Sequence, residues 1–384
     1  MSKNPIVIIG SGLAGYTVIR EFRKLENEIP VIIISTDHGG FYSKPMLSNA
    51  LAKGKTPDTL LNSNAEHVAE QMKAVMRPYS TVRAINPVNK NIVLQDGEEI
   101  NYDQLVLALG ANQIRLPLEG DGVEEILSVN NLDDYRSFRD TLTTKKEISI
   151  LGAGLIGCEF ANDLAMAGYN VHVIDISIQP LGKLLPPAGG TFLQRKLEAI
   201  GVIFHFDTIT KRVEKIGKKL QLTFANGKTL QTDILLTAVG LIPNTSLAEE
   251  AGIKVNRGIV VTRSLQTNYS DIYALGDCAE VDGRVLPFVM PIMHAARALA
   301  ATLAKKPTLV RYPAMPVIVK TPACPTVISP PNPGTKGEWQ IEETPDSVRA
   351  LFNDAENNLL GYALLGTAIN EKISLTKNLP SVME

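Results

Sequence analysis

The sequence predicts an α/β fold in which one βαβ module occurs twice and a small α+β domain follows. Three observations predict it. The stretch from Ile148 to Asp175 reads as strand, glycine-rich turn, helix, strand and terminal acid. The N-terminal stretch from Ile6 to Ile34 repeats that order. Each opening then leads, through a small β-excursion, to a buried strand that closes on a glycine. At 384 residues the chain is long enough for two or three domains, each with its own core.

In the second module, Ile148–Leu151 forms the strand and Gly152-Ala153-Gly154-Leu155-Ile156-Gly157 the turn. Gly152 makes the tight turn, Gly154 lets backbone approach a pyrophosphate, and Gly157 lets helix pack on strand, the pattern of a Rossmann-like dinucleotide-binding domain. The helix that follows from Cys158 offers N–H groups and partial positive charge to phosphates at its N-terminus. Asp175 ends the next strand, Val171–Ile174, where a carboxylate accepts hydrogen bonds from ribose hydroxyls and repels a 2′-phosphate. NAD is therefore expected rather than NADP. In the first module Ile6–Ile9 is the strand, Gly10-Ser11-Gly12-Leu13-Ala14-Gly15 the turn, Tyr16–Leu25 a helix and Val31–Ile34 the next strand. The expected acid is missing there. Ser35-Thr36 stands in its place with Asp37 displaced by two, so Ser35 is expected to take part of the ribose-binding role.

The duplication continues downstream. Val88–Leu94 and Glu99–Tyr102 flank Asp96-Gly97, a hairpin signal, before an apolar run ending at Gly110. Leu220–Phe224 and Thr229–Thr232 flank Asn226-Gly227, before a matching run ending at Gly240. Two nucleotide sites follow from the repeat. Asp133–Leu142 reads as a helix, Lys211–Lys219 as a solvated hairpin face, and Thr267–Asp277 as a return to a buried strand closing on Gly276-Asp277. Pro291 opens a helix to about Leu303, in a first turn where its missing N–H costs nothing. From Arg311 the composition turns proline-rich through Pro333, and Val348–Phe352 and Leu359–Leu365 alternate with turns.

Composition is ordinary for a soluble globular protein, with 45% hydrophobic and 20% charged residues. A net charge of −2 gives no global pull toward nucleic acid or anionic lipid. No run approaches membrane-spanning length, and a cytoplasmic location is expected. Cys158, Cys278 and Cys324 form neither a C-x-x-C pair nor a metal-ligand cluster, and no metal is expected.

Two dinucleotide sites in one chain point to two cofactors passing electrons; if one is NAD, the other is best read as FAD. Asp277 stands where a carboxylate could hold ribityl hydroxyls, although in isolation it also reads as a turn acid. The Gly10–Gly15 fingerprint, Gly110, the Gly152–Gly157 fingerprint with Glu159, Gly240-x-x-Pro243 and Thr267…Gly276-Asp277 together resemble the FAD-dependent pyridine-nucleotide-disulfide-oxidoreductase superfamily. Tyr42-Ser43-Lys44-Pro45-Met46-Leu47-Ser48 and Val319-Lys320-Thr321-Pro322-Ala323-Cys324-Pro325 are similar to the rubredoxin–NAD reductases of alkane-oxidation systems, which extends the resemblance over the full length. It implies an FAD domain (1–114 and 245–310) with an inserted NAD domain (115–244), and a C-terminal domain (311–384) that covers the flavin.

The resemblance also implies roles. Lys44, followed by Pro45, would reach the flavin, and Glu159 would lie near nicotinamide and flavin. Val82 would bond the adenine through its backbone, Val289 the flavin edge likewise, and Lys320 would lie by the ring. Read alone, Lys44 is a surface lysine of a proline-bounded loop and Glu159 a first-turn helix glutamate. The family pairs that acid with a lysine of the first loop; here the matching position is Asn49, which puts the pair in doubt. Residues 36–60 contain no cysteine, so thiol relay is disfavoured. Hydride from NADH is expected to leave FAD as single electrons to rubredoxin. Ferredoxin and flavorubredoxin are the alternative acceptors, and a redox-sensing NAD- and FAD-binding protein is the non-enzymatic alternative.

Overall fold

The computed structural model describes residues 4–384. A parallel sheet in the order Ile272–Ala274, Gln104–Leu107, Ile6–Ile9, Val31–Ile34, Val75–Arg77 forms its first layer. A second parallel sheet runs Val202–His205, Asn170–Ile174, Glu147–Leu151, Ile234–Thr237. Register underlines the repeat: Ile9 lies between Ile34 and Leu107 in one sheet, and Leu151 between Ile174 and Thr237 in the other. In the first sheet the inner strands Ile6–Ile9 and Gln104–Leu107 are buried along their whole length, as a parallel sheet covered on both faces requires. Helix Leu13–Arg23 covers the first sheet with Tyr16, Val18, Ile19 and Phe22, and packs beside helix Val289–Leu303.

Both glycine turns start their helices earlier than the sequence indicates. The first helix spans Leu13–Arg23 rather than Tyr16–Leu25, because Gly12 itself is the N-cap. Each β-excursion also has three strands instead of two. The added strands are Val82–Asn86 and Thr210–Ile216, and the basic residues Lys211 and Arg212 of the latter face solvent. The two modules are joined by an antiparallel ladder of Ala111–Gln113 with Leu241–Pro243.

The C-terminal unit is an antiparallel sheet ordered Val317–Val319, Thr326–Ser329, Leu359–Gly366, Ser347–Asn353, Glu338–Thr344, followed by the short helix Lys372–Thr376. It does not pack as a separate bead. One apolar cluster runs from Leu47 and Leu60 through Ile150, Phe160 and Phe192 to Ile328 and Leu365. Helix Pro187–Glu198 belongs to this junction, and sequence alone disfavours it, since Gly189 and Gly190 fall in its first turns. A side chain at Gly190 would collide with Gln179, and one at Gly189 would press on Leu365. Among the described residues no helix is long and apolar enough to cross a membrane.

Candidate cofactor and electron-transfer site

The two fingerprints show the same division of labour among their glycines. Gly10 and Gly152 have φ of +117° and +105°, which L side chains rarely adopt. A Cβ on Gly15 would strike the Gly10 carbonyl oxygen, and one on Gly157 the Gly152 carbonyl oxygen, so both are glycine for reasons internal to the protein. Gly12 and Gly154 differ: a Cβ there meets nothing within 4 Å, and both are exposed. Each is also the N-cap of its helix, and neither helix has a side-chain cap. The N–H groups of Leu13, Ala14 and Gly15, and of Leu155, Ile156 and Gly157, are thus left without intrahelical acceptors at an open positive pole. Open space and uncapped donors are what a pyrophosphate needs at both places.

At the end of the first module's second strand, the displaced acid folds back. Ser35 Oγ donates to Asp37 Oδ1 at 2.5 Å and lies 2.5 Å from Ser11 Oγ, while Asp37 Oδ1 also accepts from Gly39 N–H at 2.9 Å. Asp37 thus brings a carboxylate back to the strand end where Ser35 stands. Ser80 N–H donates to the Ser35 carbonyl at 2.8 Å, which lays the Val82 strand alongside. At the second module Asp175 ends its strand and accepts from Ala153 N–H at 2.5 Å and Ser177 N–H at 2.7 Å, so the acid is tied to the glycine loop it follows. Gly110 and Gly240 both have positive φ; Asn244 donates its N–H to the Gly110 carbonyl at 3.0 Å and its Nδ2 to the Leu109 carbonyl at 2.8 Å, and Ile114 N–H donates to the Gly240 carbonyl at 3.1 Å.

Lys44, Glu159, Asp277 and Lys320 come from four segments. Lys44 and Pro45 open the 3-10 helix Lys44–Asn49, and Lys44 Nζ donates to Asn130 Oδ1 at 2.7 Å. Burial pushes the Lys44 pKa down, against the attraction of Asp277 and Asp134. Burial pushes the Asp277 carboxyl up, against the attraction of Lys44. The half-buried Lys44, from the first loop, and Asp277, from the Gly276–Cys278 turn, thus attract each other. Val289, first residue of helix Val289–Leu303, is exposed.

Glu159 does have a lysine partner, but it comes from the C-terminal unit. Lys320 Nζ lies 2.5 Å from Glu159 Oε2, and the Lys320 backbone N–H donates to Oε1 at 3.0 Å. Ser48 Oγ donates to the same Oε2 at 2.5 Å. The Asn49 position expected to carry the lysine instead accepts from Lys53 Nζ at 3.2 Å. Two further polar residues of the Leu155–Met166 helix, unnoticed in the sequence, share this face at i+3 and i+4. Asn162 Oδ1 accepts from Ala323 N–H at 3.1 Å, and Asp163 accepts from Leu51 and Ala52 N–H at 2.8 and 3.0 Å. Three buried polar side chains at helical spacing in an otherwise apolar helix were a readable signal of such contacts. Cys158, Cys278 and Cys324 are buried and unpaired.

Comparison with known proteins accords with this geometry. Residues 4–301 match the family model described as pyridine nucleotide-disulphide oxidoreductase, and residues 309–379 the rubredoxin binding C-terminal domain. The chain is 48% identical over 382 residues to a rubredoxin-NAD(+) reductase of Alcanivorax borkumensis, covering 99% of this chain and 100% of that protein. It is 36% identical over 376 residues to a nitric oxide reductase FlRd-NAD(+) reductase of Aeromonas hydrophila, covering 98% and 96%. The fold matches the crystal structure of NADH:rubredoxin oxidoreductase from Clostridium acetobutylicum with a TM-score of 0.81 at 22% identity, over 98% of this chain and 95% of that one. The chain belongs to the pyridine nucleotide-disulphide oxidoreductase family and carries a rubredoxin binding C-terminal domain.

Proposed function

We propose that the chain is an NADH-dependent, FAD-containing reductase that passes electrons singly to rubredoxin. The observation that carries this reading is a pair of uncapped dinucleotide fingerprints, the helix of the second being tied through Glu159 both to Ser48, in the short helix that Lys44 opens, and to Lys320 of the C-terminal unit, while all three cysteines are buried and unpaired. FAD bound there supplies an acceptor for the hydride of NADH and a one-electron donor to a small carrier protein. The Gly10–Gly15 turn, Ser35 with Asp37, the Val82 backbone, Gly110, Asp277 and the Val289 backbone hold it. The Gly152–Gly157 turn, Asp175 and Gly240 hold NADH, and Asp175 selects it by repelling a 2′-phosphate.

Lys44 offers positive charge to the ring, where burial strengthens its field. Glu159 and Lys320 bring the third segment against the other two. No side chain is required to move a proton, so the residues act mainly by positioning. The reading assigns residues 1–114 and 245–310 to FAD, 115–244 to NADH and 311–384 to the cover over the flavin and the carrier's docking face. It includes a cytoplasmic location, supported by three unpaired cysteines, and a supply of electrons to an alkane-oxidising system, on the resemblance of the segments 42–48 and 319–325 alone.

Steady-state assays test the acceptor. With NADH as donor, turnover is expected with rubredoxin, and much less with ferredoxin, flavorubredoxin or a small disulfide. Equal or faster turnover with another acceptor would replace rubredoxin in the proposal.

A further inference from the structure

We propose that Asn130 is a positioning residue for the reaction: it holds the Lys44 ammonium toward the flavin while leaving its charge uncompensated. The inference rests on the flavin-facing reading of Lys44 and adds the device that makes it effective.

Asn130 lies just before helix Leu132–Thr141, on the segment that leads from the first module into the second. Three bonds fix it. Its backbone N–H donates to Asp134 Oδ2 at 2.8 Å, and its Nδ2 donates to the Ala111 carbonyl at 3.0 Å. With Nδ2 committed to a carbonyl, the amide orientation is settled, and Oδ1 is the atom left to accept from Lys44 Nζ at 2.7 Å. Ala111 directly follows Gly110, so the amide is braced on the backbone of the loop expected beside the flavin.

The two lysines of the site are thus held by opposite chemistry. Lys320 is bonded to a carboxylate, which cancels most of its field. Lys44 is bonded to a neutral amide, and among the described residues no carboxylate forms an ion pair with it. Asp277 and Asp134 act on it only through space. A neutral acceptor orients an ammonium yet leaves its charge to act on a neighbouring group, whereas an acid in the same place would neutralise it. Asp134, one of the two acids that act on Lys44 through space, is engaged instead by the Asn130 backbone N–H, which donates to its Oδ2 at 2.8 Å.

The test is the midpoint potential of the bound flavin, measured by anaerobic spectroelectrochemical titration of the purified holoenzyme. Flavin content and thermal midpoint are recorded for each variant. Lys44→Met is expected to lower the potential. Asn130→Asp, which compensates the charge, and Asn130→Leu, which removes the acceptor at similar volume, are expected to lower it in the same direction by no more than Lys44→Met. Adding Asn130→Leu to Lys44→Met is expected to give no further shift. If Lys44→Met lowers the potential while both Asn130 variants retain flavin at the parent's potential, the positioning role is overturned. If Lys44→Met itself leaves the potential unchanged, the flavin-facing reading of Lys44 fails and the inference falls with it.

Discussion

Glu159 is where three segments of the chain meet: its own helix, Ser48 from the first loop and Lys320 from the C-terminal unit. Removing one member of a buried ion pair costs about 3–5 kcal/mol, because the other charge is left unpaired. The Lys320 side chain is 31% exposed and that of Glu159 4%, so the carboxylate has less recourse to water. Lys320→Met should therefore destabilise more than Glu159→Gln, and the double variant should cost less than the sum; urea denaturation of the four proteins in a double-mutant cycle checks both statements. Asp175→Asn should weaken NADH about tenfold (about 1.4 kcal/mol) while narrowing the preference over NADPH, measured as kcat/KM for the two donors. The fingerprint glycines, Asp175 and Glu159 could be picked out from sequence because local spacing defines them. The Glu159 partner could not, because Lys320 is 161 positions away and only the folded C-terminal unit delivers it. Asn130 was equally silent, since a neutral amide ahead of a helix reads as a cap until its lysine partner is seen.

Among the elements, the glycine turns divide structural from ligand-facing roles, and substitutions separate them. Gly15→Ala should lower stability by about 1–3 kcal/mol, as overpacking forces helix from strand. Gly12→Ala should leave the flavin-free protein as stable as the parent but impair FAD retention, since the added methyl occupies only the space open to the ligand. Differential scanning fluorimetry and flavin absorbance after desalting distinguish the two. The sheet of the second module carries a further, pH-dependent feature. His172 Nδ1 lies 3.0 Å from His205 Nε2, the rings stack at 5.3 Å, and burial lowers the pKa of both. Below their ordinary value of 6.5 the unfolded chain binds protons that the fold refuses, so these groups make stability rise with pH and fall on acidification through 6.5. The urea midpoint should be lower at pH 5.5 than at 7.5, and His172→Gln with His205→Gln should shrink that difference. Strands and helices with clear periodicity were legible; helix Pro187–Glu198 was not, because its two glycines are favoured by contacts with Gln179 and Leu365 rather than by helix propensity.

At the level of the whole molecule, the repeated sheet order explains how one chain builds two nucleotide sites, and the shared core explains how they are held at a fixed relation. The polar face of helix Leu155–Met166 bolts the second module to the first loop through Asp163 and to the C-terminal unit through Glu159 and Asn162. Such ties favour a preorganised site over one assembled by large domain movement. The repeat was visible in the sequence as two matching series of strands, turns and glycines; the packing of the third unit on the second was not, because it depends on apolar side chains that meet only after each sheet has formed. The central claim is electron flow from NADH to rubredoxin through a flavin in this chain. Double-mixing stopped-flow absorbance tests it most directly, with NADH added first and oxidised rubredoxin second. Rapid bleaching of the flavin, then reduction of two rubredoxins per NADH over repeated turnovers, is the predicted result. Rapid bleaching with rubredoxin left oxidised would contradict the claim about the acceptor, and failure of NADH to bleach a bound flavin would contradict the account at its root.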